Sequence, residues 1–298
     1  MSARVSVVIP VFNYARYVGA AIESVLVQTV PPHEIIVVDD GSTDDTPSVL
    51  AGFGSRITTI RTSGVGSPEA RNIGARRATG NVLAFLDADD LWMPRKLERQ
   101  LARLAERPEA GLVHCGVQDI DATGAPVGQH LDGMEGWVAK DIVLWKREVI
   151  LGGGSGAVMT RQAFEDAGGW DPNVQPAEDW DLFFRIAIRY PVAFVPEILV
   201  QYRKHGGNQS LRIARIGRAS LRIMNKLFAA PSPDIAPLKR RAYGNLHSVL
   251  AGSFFGAGEW LDFLRHAAWS VALTPENLPQ FAGFPIRWMR RRFRARSR

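Results

Sequence analysis

Three carboxylates stand within four positions, directly after an apolar run of strand length. Residues 81–86 read NVLAFL, and Asp87, Asp89 and Asp90 follow with a single alanine among them. Carboxylates crowded at a strand end repel one another, and a bound cation relieves that repulsion. Their hard oxygen atoms suit magnesium or manganese. An aspartate-rich turn that caps a helix beginning near Pro94 is the alternative, and the cluster alone leaves both interpretations open.

Strands and helices that would position these carboxylates alternate along the chain. The pattern comprises strand 5–9, helix 18–26, strand 35–38, strand 57–60, helix 68–77 and strand 81–86. This alternation predicts a mainly parallel sheet with helices on both faces. Ligands bind at the carboxyl ends of such strands, so segments 10–12, 39–40 and 87–89 should meet in one crevice.

The common glycine-rich phosphate loops are absent from the sequence. No G-x-G-x-x-G follows the first strand and no G-x-x-x-x-G-K-[ST] occurs, so a dinucleotide or P-loop site is disfavoured. The predicted crevice is acidic instead, and acid beside a phosphate requires a metal between them. Phe12 could stack on a base there, and Asp40 could accept hydrogen bonds from one. Packing of Phe12 against the next helix and a simple turn at Asp40 are the alternatives.

The composition is that of a globular protein with a substantial core. The 298 residues are 46% hydrophobic, and no apolar run reaches the roughly 18 residues that cross a bilayer. The single cysteine, Cys115, excludes a disulfide framework and a cysteine zinc site. We therefore expect a cytoplasmic protein.

The net charge of +6 is concentrated at the end of the sequence. The last thirteen residues contain seven arginines and no acid, so the rest of the sequence sums to −1. This distribution argues against a nucleic-acid partner. Aromatic and apolar residues accompany the arginines, which is typical of a segment that contacts anionic headgroups at the inner face of the plasma membrane. A disordered solubilising tail is the alternative.

Five segments, in the same order along the chain as in the family, resemble the family 2 glycosyltransferases of the GT-A fold. They are VSVVIPVFN at 5–13, SVLVQT at 24–29, IVVDDGSTD at 36–44, ARNIG at 70–74 and LDADD at 86–90. GGWD at 168–171 and EDWDL at 178–182 continue the likeness, which covers about residues 3–210. The resemblance implies a GT-A domain with a Rossmann-like mixed, mainly parallel sheet over 1–210. A helical extension with a basic tail would occupy 211–298.

The resemblance assigns the acidic turn to a metal and diphosphate site. Asp89 would ligate a divalent metal, Mn²⁺ or Mg²⁺, and Asp87 would contact the ribose, the metal or both. Asp90 would have a structural role as a helix cap. His205 lies in segment 201–210, which resembles the closing loop of the family, and would be a further metal ligand or a diphosphate contact. A surface histidine is the alternative.

The resemblance also implies a nucleotide pocket. Pro10 and Phe12 would line the pocket for the base, and Asp40 would pair with the base. Arg71 would reach the base or the diphosphate. Because Arg71 shares its predicted helix with two further arginines, a solvated charged face is the alternative.

Two adjacent carboxylates, Glu178 and Asp179, are candidates for the catalytic groups. Asp179 matches the position at which the family places its general base, and Glu178 would orient the acceptor or the base. A carboxylate base implies a one-step inverting displacement at the anomeric carbon. Both residues also open a predicted helix, where the helix dipole favours negative charge, so a structural role is the alternative.

The residues and the resemblance together predict a metal-dependent, inverting glycosyltransferase. It would move a sugar from a nucleotide-sugar, with a UDP-sugar foremost, to a polysaccharide, lipid-linked or cell-wall acceptor. A non-catalytic nucleotide-sugar-binding protein on the same fold and a sugar nucleotidylyltransferase are the alternatives. The intact Asp87, Asp89 and Asp179 argue against the first, and the missing glycine-rich loop argues against the second.

Overall fold

The computed structural model describes residues 3–205 and 213–282. Within these ranges nine strands form one sheet. The strands are β1 (Val5–Val11), β2 (Glu34–Asp39), β3 (Thr58–Arg61), β4 (Val82–Phe85), β5 (Leu91–Trp92), β6 (Leu112–Ile120), β7 (Pro126–His130), β8 (Val158–Thr160) and β9 (Val192–Arg203).

Twelve α-helices accompany the strands in the same ranges. The first eight are α1 (Ala15–Leu26), α2 (Thr46–Ala51), α3 (Ser67–Arg77), α4 (Lys96–Glu106), α5 (Ala139–Val143), α6 (Gly153–Gly156), α7 (Arg161–Asp166) and α8 (Glu178–Ala187). The last four follow β9 and are α9 (Ile213–Leu227), α10 (Lys239–Ala257), α11 (Trp260–Leu273) and α12 (Leu278–Ala282).

The sheet is mixed, with its parallel strands mostly at the N-terminal side. The strand order is β3-β2-β1-β4-β8-β6-β9-β5, and β7 pairs with β6. The pairs β1–β2, β1–β4, β2–β3 and β6–β9 are parallel. Strand β8 runs antiparallel to both β4 and β6, so it joins the parallel first half to the second half. The carboxyl ends of β1, β2 and β4 therefore lie along one edge.

Side chains alternate along β1, and helices cover both faces of the sheet there. Val7 and Ile9 belong to the same buried cluster as Ile22 of α1. On the opposite face Gly74 of α3 lies so close to the sheet that a Cβ would be 2.3 Å from Val8 Cγ1. The glycine thus permits α3, which carries Arg71, to pack directly on the strands.

The acidic turn leads into a short strand before the next helix. The helix predicted near Pro94 begins at Lys96, and β5 intervenes. Leu91 of β5 pairs antiparallel with Gln201 of β9. The three aspartates are therefore held between the end of β4 and the end of a strand more than 100 residues later in the sequence.

Contacts divide the chain into two compact units. The first comprises Met1–Ala139 and Glu148–Asn208, and the second comprises Lys140–Arg147 and Gln209–Arg298. The predicted boundary at residue 210 lies outside the described ranges, and the two-domain division stays a prediction. The basic tail also lies outside these ranges. Among the described residues, every helix is too short or too polar to cross a membrane.

The second unit is a small helical assembly in which α10 packs against its neighbours. A Cβ at Gly217 of α9 would lie 3.1 Å from Leu250 of α10. Ser270 Oγ of α11 donates a hydrogen bond of 2.8 Å to the carbonyl of Gly244 in α10. Helices α9, α10 and α11 agree with the helical character predicted for the extension over the residues described.

Candidate active site

Hydrogen bonds to α6 and β9 fix the acidic turn after β4. Ser155 Oγ accepts from the amide of Asp87 at 3.0 Å and donates to Asp90 Oδ2 at 2.6 Å. The other oxygen of Asp90 accepts from the amide of Arg203 at 2.8 Å. Burial and the negative charges of Asp89 and Asp87 raise the pKa of Asp90 well above its usual value. Asp90 is structural, but it does not cap α4 as predicted, because β5 separates the two.

Arg71 of α3 connects the acidic turn to the start of α8. Its Nη2 donates to Asp87 Oδ1 at 2.6 Å, and its Nη1 donates to Glu178 Oε1 at 3.2 Å. The guanidinium carbon lies 4.7 Å from the ring centroid of Trp170. Arg71 is only 4% exposed, so the alternative of a solvated charged face does not describe this residue. A buried arginine with two carboxylate partners fixes the relative position of two elements.

Asp179 lies in the first turn of α8, beside the backbone of α6. A Cβ at Gly153 would be 2.8 Å from Asp179 Oδ2, so the glycine leaves room for the carboxylate. Within the described part of the chain, Asp179 Oδ1 is shielded from solvent and has no hydrogen-bond partner. Burial raises the pKa of Asp179 to about 7; Arg71 opposes this rise, whereas Glu178 and Asp87 add to it. A carboxyl group with this pKa can take up a proton near neutral pH.

His205 contacts the acidic turn from the end of β9. Its Nε2 lies 2.9 Å from Asp89 Oδ2. The imidazole stacks on Tyr17 at 5.3 Å between centroids and lies 5.8 Å from the Tyr14 ring. Burial and the charge of Asp89 raise the pKa of Tyr14 to about 12. The structure therefore places His205 at the predicted site, among aromatic rings and next to the proposed metal ligand.

The predicted nucleotide-pocket residues lie at the ends of β1 and β2. Phe12 is 51% exposed, whereas Pro10 is buried within β1. Asp40 accepts hydrogen bonds from the backbone amides of residues 64–66 at 2.7 to 3.1 Å. Asp40 thus holds the loop that precedes α3, and most of its acceptor capacity is already used. The open ring of Phe12 remains available for stacking on a base.

The donor set of the acidic turn fits a divalent cation. Burial, and then the negative charge of Asp87, raise the pKa of Asp89. One oxygen of Asp87 is bound by Arg71, which leaves Asp89 and His205 as the adjacent donors. Within residues 3–205 and 213–282, no three His, Cys, Asp or Glu side chains are arranged to hold a metal by themselves. The residues therefore fit a metal that takes its remaining ligands from a bound phosphate.

Three side chains that the sequence prediction did not assign also build the site. Ser155 orients the acidic turn, Trp170 lies against Arg71, and Tyr14 lies near His205. Ser155 lies in a run of glycines and Trp170 in the GGWD segment, so the sequence around each residue indicated a functional segment. The only signal for Tyr14 is its position shortly after the first strand.

The residues predicted for a nucleotide pocket, a metal and a general base lie at the ends of β1, β2 and β4 and at the start of α8, on a mixed α/β sheet. The family model described as glycosyl transferase family 2 matches residues 6–168, more than half of the chain. The chain belongs to this family. An uncharacterized glycosyltransferase of Nostoc sp. (strain PCC 7120) is 34% identical over 230 residues, which cover 71% of this chain and 68% of that protein.

A second curated relative is a putative teichuronic acid biosynthesis glycosyltransferase, TuaG, of Bacillus subtilis (strain 168). It is 41% identical over 107 residues, which cover 35% of this chain and 42% of the relative. The chain thus spans at most about two thirds of the length of these two relatives.

Solved structures show the same fold. The mannosyltransferase PcManGT of Pyrobaculum calidifontis, in complex with GDP-Man and Mn²⁺, has a TM-score of 0.65 at 22% identity. That match covers 96% of this chain and 81% of the mannosyltransferase chain. Residues 1–349 of S. aureus TarS with UDP-GlcNAc have a TM-score of 0.61 at 14% identity, covering 93% and 92% of the two chains. The predicted GT-A fold is therefore confirmed.

Proposed function

We propose that this protein transfers a sugar from a nucleotide-sugar to an acceptor hydroxyl with inversion at the anomeric carbon. The observation that carries the proposal is Asp179. Its carboxyl group is held beside α6, has a shielded oxygen without a hydrogen-bond partner in the described part of the chain, and has a pKa of about 7. These are the properties required of a general base that deprotonates a hydroxyl near neutral pH.

The residues around Asp179 would position the nucleotide and the general base. Arg71 holds Asp87 and Glu178 in place. The proposed nucleotide site and the general base, Asp179, therefore keep a fixed separation. Fixed positions reduce the entropic cost of bringing donor and acceptor together. Phe12 offers its exposed ring to the base of the nucleotide. Glu178 orients Asp179 or the acceptor.

A divalent metal, Mn²⁺ or Mg²⁺, belongs to the proposal. Asp89 would hold it, with His205 and Asp87 as further contacts. When bound, the metal would neutralise the charge that develops on the leaving diphosphate. Support comes from the crowded negative charge at Asp89 and from the Mn²⁺ in the mannosyltransferase complex of the same fold.

The donor class is proposed to be a UDP-sugar, and the acceptor a polysaccharide, lipid-linked or cell-wall glycan. The UDP-GlcNAc in the TarS complex supports the donor class, and the teichuronic acid assignment of the Bacillus relative supports the acceptor class. All the site residues lie within the proposed catalytic domain 1–210, and the proposed extension 211–298 would serve the acceptor side.

A peripheral contact with the inner face of the plasma membrane is part of the same proposal. The basic tail would contact anionic headgroups, and exposed apolar side chains such as Leu261 and Leu264 of α11 support such a contact. Flotation with phosphatidylglycerol vesicles should carry the full chain, and removal of residues 285–298 should reduce the floated fraction. Equal floated fractions would contradict the membrane contact.

A donor panel tests the activity. Purified protein should be incubated with UDP-, GDP- and dTDP-sugars in the presence of Mn²⁺, and the released nucleotide measured with and without a chelator. One UDP-sugar should give nucleotide release that the chelator abolishes and added Mn²⁺ restores. Tight donor binding without release from any donor would favour the non-catalytic alternative.

A further inference from the structure

A cavity in the second unit combines positive charge with an aromatic wall. Its volume is about 880 Å³, at the upper end of the usual size of ligand sites. Segment 145–146, the start of α10 and the segment that leads into α12 enclose it. None of these residues belongs to the candidate active site.

Three cations line this cavity without a carboxylate partner. Lys146, Arg240 and Arg241 are all exposed, and none forms an ion pair within residues 3–205 and 213–282. Arg240 is nevertheless fixed, because its Nε donates to the carbonyl of Leu273 at 2.8 Å. Glu276 is the one acid among the described residues that line the cavity, so cations outnumber it by three to one. The cavity therefore attracts an anion.

The polar wall of the cavity is organised in advance. Asn245 Nδ2 donates to the carbonyl of Leu144 at 2.8 Å, and its Oδ1 accepts from Asn277 Nδ2 at 3.2 Å. Gln280 Nε2 donates to Asn277 Oδ1 at 2.9 Å. Linked amides of this kind hold a binding surface in one geometry and lower the cost of ordering it when a ligand arrives.

Trp145 provides the aromatic part of the lining from a strained backbone. Its φ is +51°, a left-handed conformation that is sterically unfavourable for a tryptophan. Such strain persists only where the surrounding structure requires the conformation, and it concentrates at functional sites. An indole beside cations and amides suits a ring that has one apolar face and several hydroxyl groups.

We propose that this cavity binds an anionic saccharide, that is, a sugar unit bearing a phosphate or carboxylate, as part of the acceptor. Lys146, Arg240 and Arg241 would bind the anionic group, and Trp145 would cover a sugar face. The acceptor role depends on the proposed glycosyl transfer, whereas saccharide binding itself does not.

Calorimetric titration with glucose 1-phosphate tests the proposal, with glucuronate, glucose and inorganic phosphate as comparison ligands. Glucose 1-phosphate or glucuronate should bind more tightly than both glucose and inorganic phosphate. Lys146→Glu and Arg241→Glu should each weaken that binding about tenfold or more. The matched control Arg215→Glu makes the same charge change on an exposed arginine of α9 and should leave binding within about twofold.

Several results would overturn the proposal. They are no binding of either anionic saccharide, inorganic phosphate binding as tightly as the sugar phosphate, or an equal loss in Arg215→Glu. Arg241→Gln, checked by circular dichroism, covers the case in which a reversed charge unfolds the unit, and it should also weaken binding.

Nucleotide release from the donor separates this proposal from the proposed function. Donor hydrolysis in water by the wild-type protein measures the proposed transfer chemistry, whereas the titrations of Lys146→Glu and Arg241→Glu measure saccharide binding in the cavity. If no variant and no wild-type protein releases nucleotide, the glycosyl transfer fails while saccharide binding can still be measured.

Discussion

At the scale of single residues, the site depends on how Arg71 distributes one positive charge among several carboxylates. It contacts Asp87 and Glu178 directly and also lowers the pKa of Asp179. Burial and the two other carboxylates outweigh this effect, so the pKa of Asp179 rises to about 7. One arginine thus holds Asp87 and Glu178 in place and lowers the pKa of Asp179, the proposed general base.

The pH dependence of the reaction follows from the pKa of Asp179. A general base must be deprotonated to accept a proton, so kcat/KM should fall about tenfold per unit of pH below about 7 and level off above it. Initial rates of nucleotide release between pH 5 and 8.5 would measure this. A rate that stays constant down to pH 5 would show that Asp179 is not the base.

Replacing Arg71 should change both stability and the pH profile. Arg71→Met leaves buried carboxylates without their cation, so the unfolding free energy should drop by about 3–5 kcal/mol. Because Arg71 lowers the pKa of Asp179, the midpoint of the pH profile should move upward in any folded fraction. Arg77→Met, an exposed arginine of the same helix, is the control and should change neither quantity. Denaturant unfolding and rates against pH provide the two measurements.

At the scale of elements, α6 limits where the carboxylate of Asp179, the proposed general base, can lie. Gly153 has φ of +51°, and a Cβ there would approach Asp179 Oδ2 to 2.8 Å. Gly153→Ala should therefore displace the carboxylate and lower kcat by at least about tenfold. Gly54→Ala is a matched control, because Gly54 has φ of +54° and open space around its Cβ position. Equal kcat values for the two variants would contradict the role of α6.

Helix α4 buries a charge that its neighbours do not neutralise. Lys96 is fully buried, with its Nζ 2.6 Å from Gln100 Oε1 and over the Trp92 ring. Burial lowers the pKa of Lys96 to about 8. The unfolded chain then binds more protons than the folded protein between pH 8 and 10.5, so this residue makes stability rise with pH across that window.

Lys96→Met should remove that rise. The stability difference between the variant and the wild type should be largest below pH 8, on the order of 3 kcal/mol in favour of methionine, and should shrink toward pH 10.5. Denaturant unfolding at several pH values measures it, with the exposed Lys239→Met as control. A constant difference across the window would show that Lys96 does not titrate as its burial implies.

The alternation of strands and helices at the start of the chain could be predicted from the sequence. Strands β1 and β2 are rich in β-branched residues, and α1 has a regular apolar period. Strand β5 could not be predicted, because a segment of two residues shows no period and forms a strand only through its pairing with β9. The bonds of Asp90 to Ser155 and Arg203 join residues 65 and 113 positions away. Such long-range partners leave no local signal.

At the scale of the whole molecule, the two units differ in net charge. The second unit contains 19 Lys and Arg residues against five Asp and Glu, and the first contains 17 against 25. Twelve of those 19 precede the arginine-rich tail, so the second unit is basic even without the tail. This difference in charge supports the proposals that the first unit binds a metal and that the second unit binds anionic partners.

The most direct test of the central claim is the anomeric configuration of sugar released by donor hydrolysis, followed by proton NMR at early times with Mn²⁺. Wild type and the exposed control Asp132→Asn should release the inverted anomer first, because Asp179 activates the attacking water in one displacement. Asp179→Asn should lose almost all of this rate. Release of the retained anomer, or wild-type turnover by Asp179→Asn, would contradict the assignment of Asp179 as the general base of an inverting glycosyltransferase.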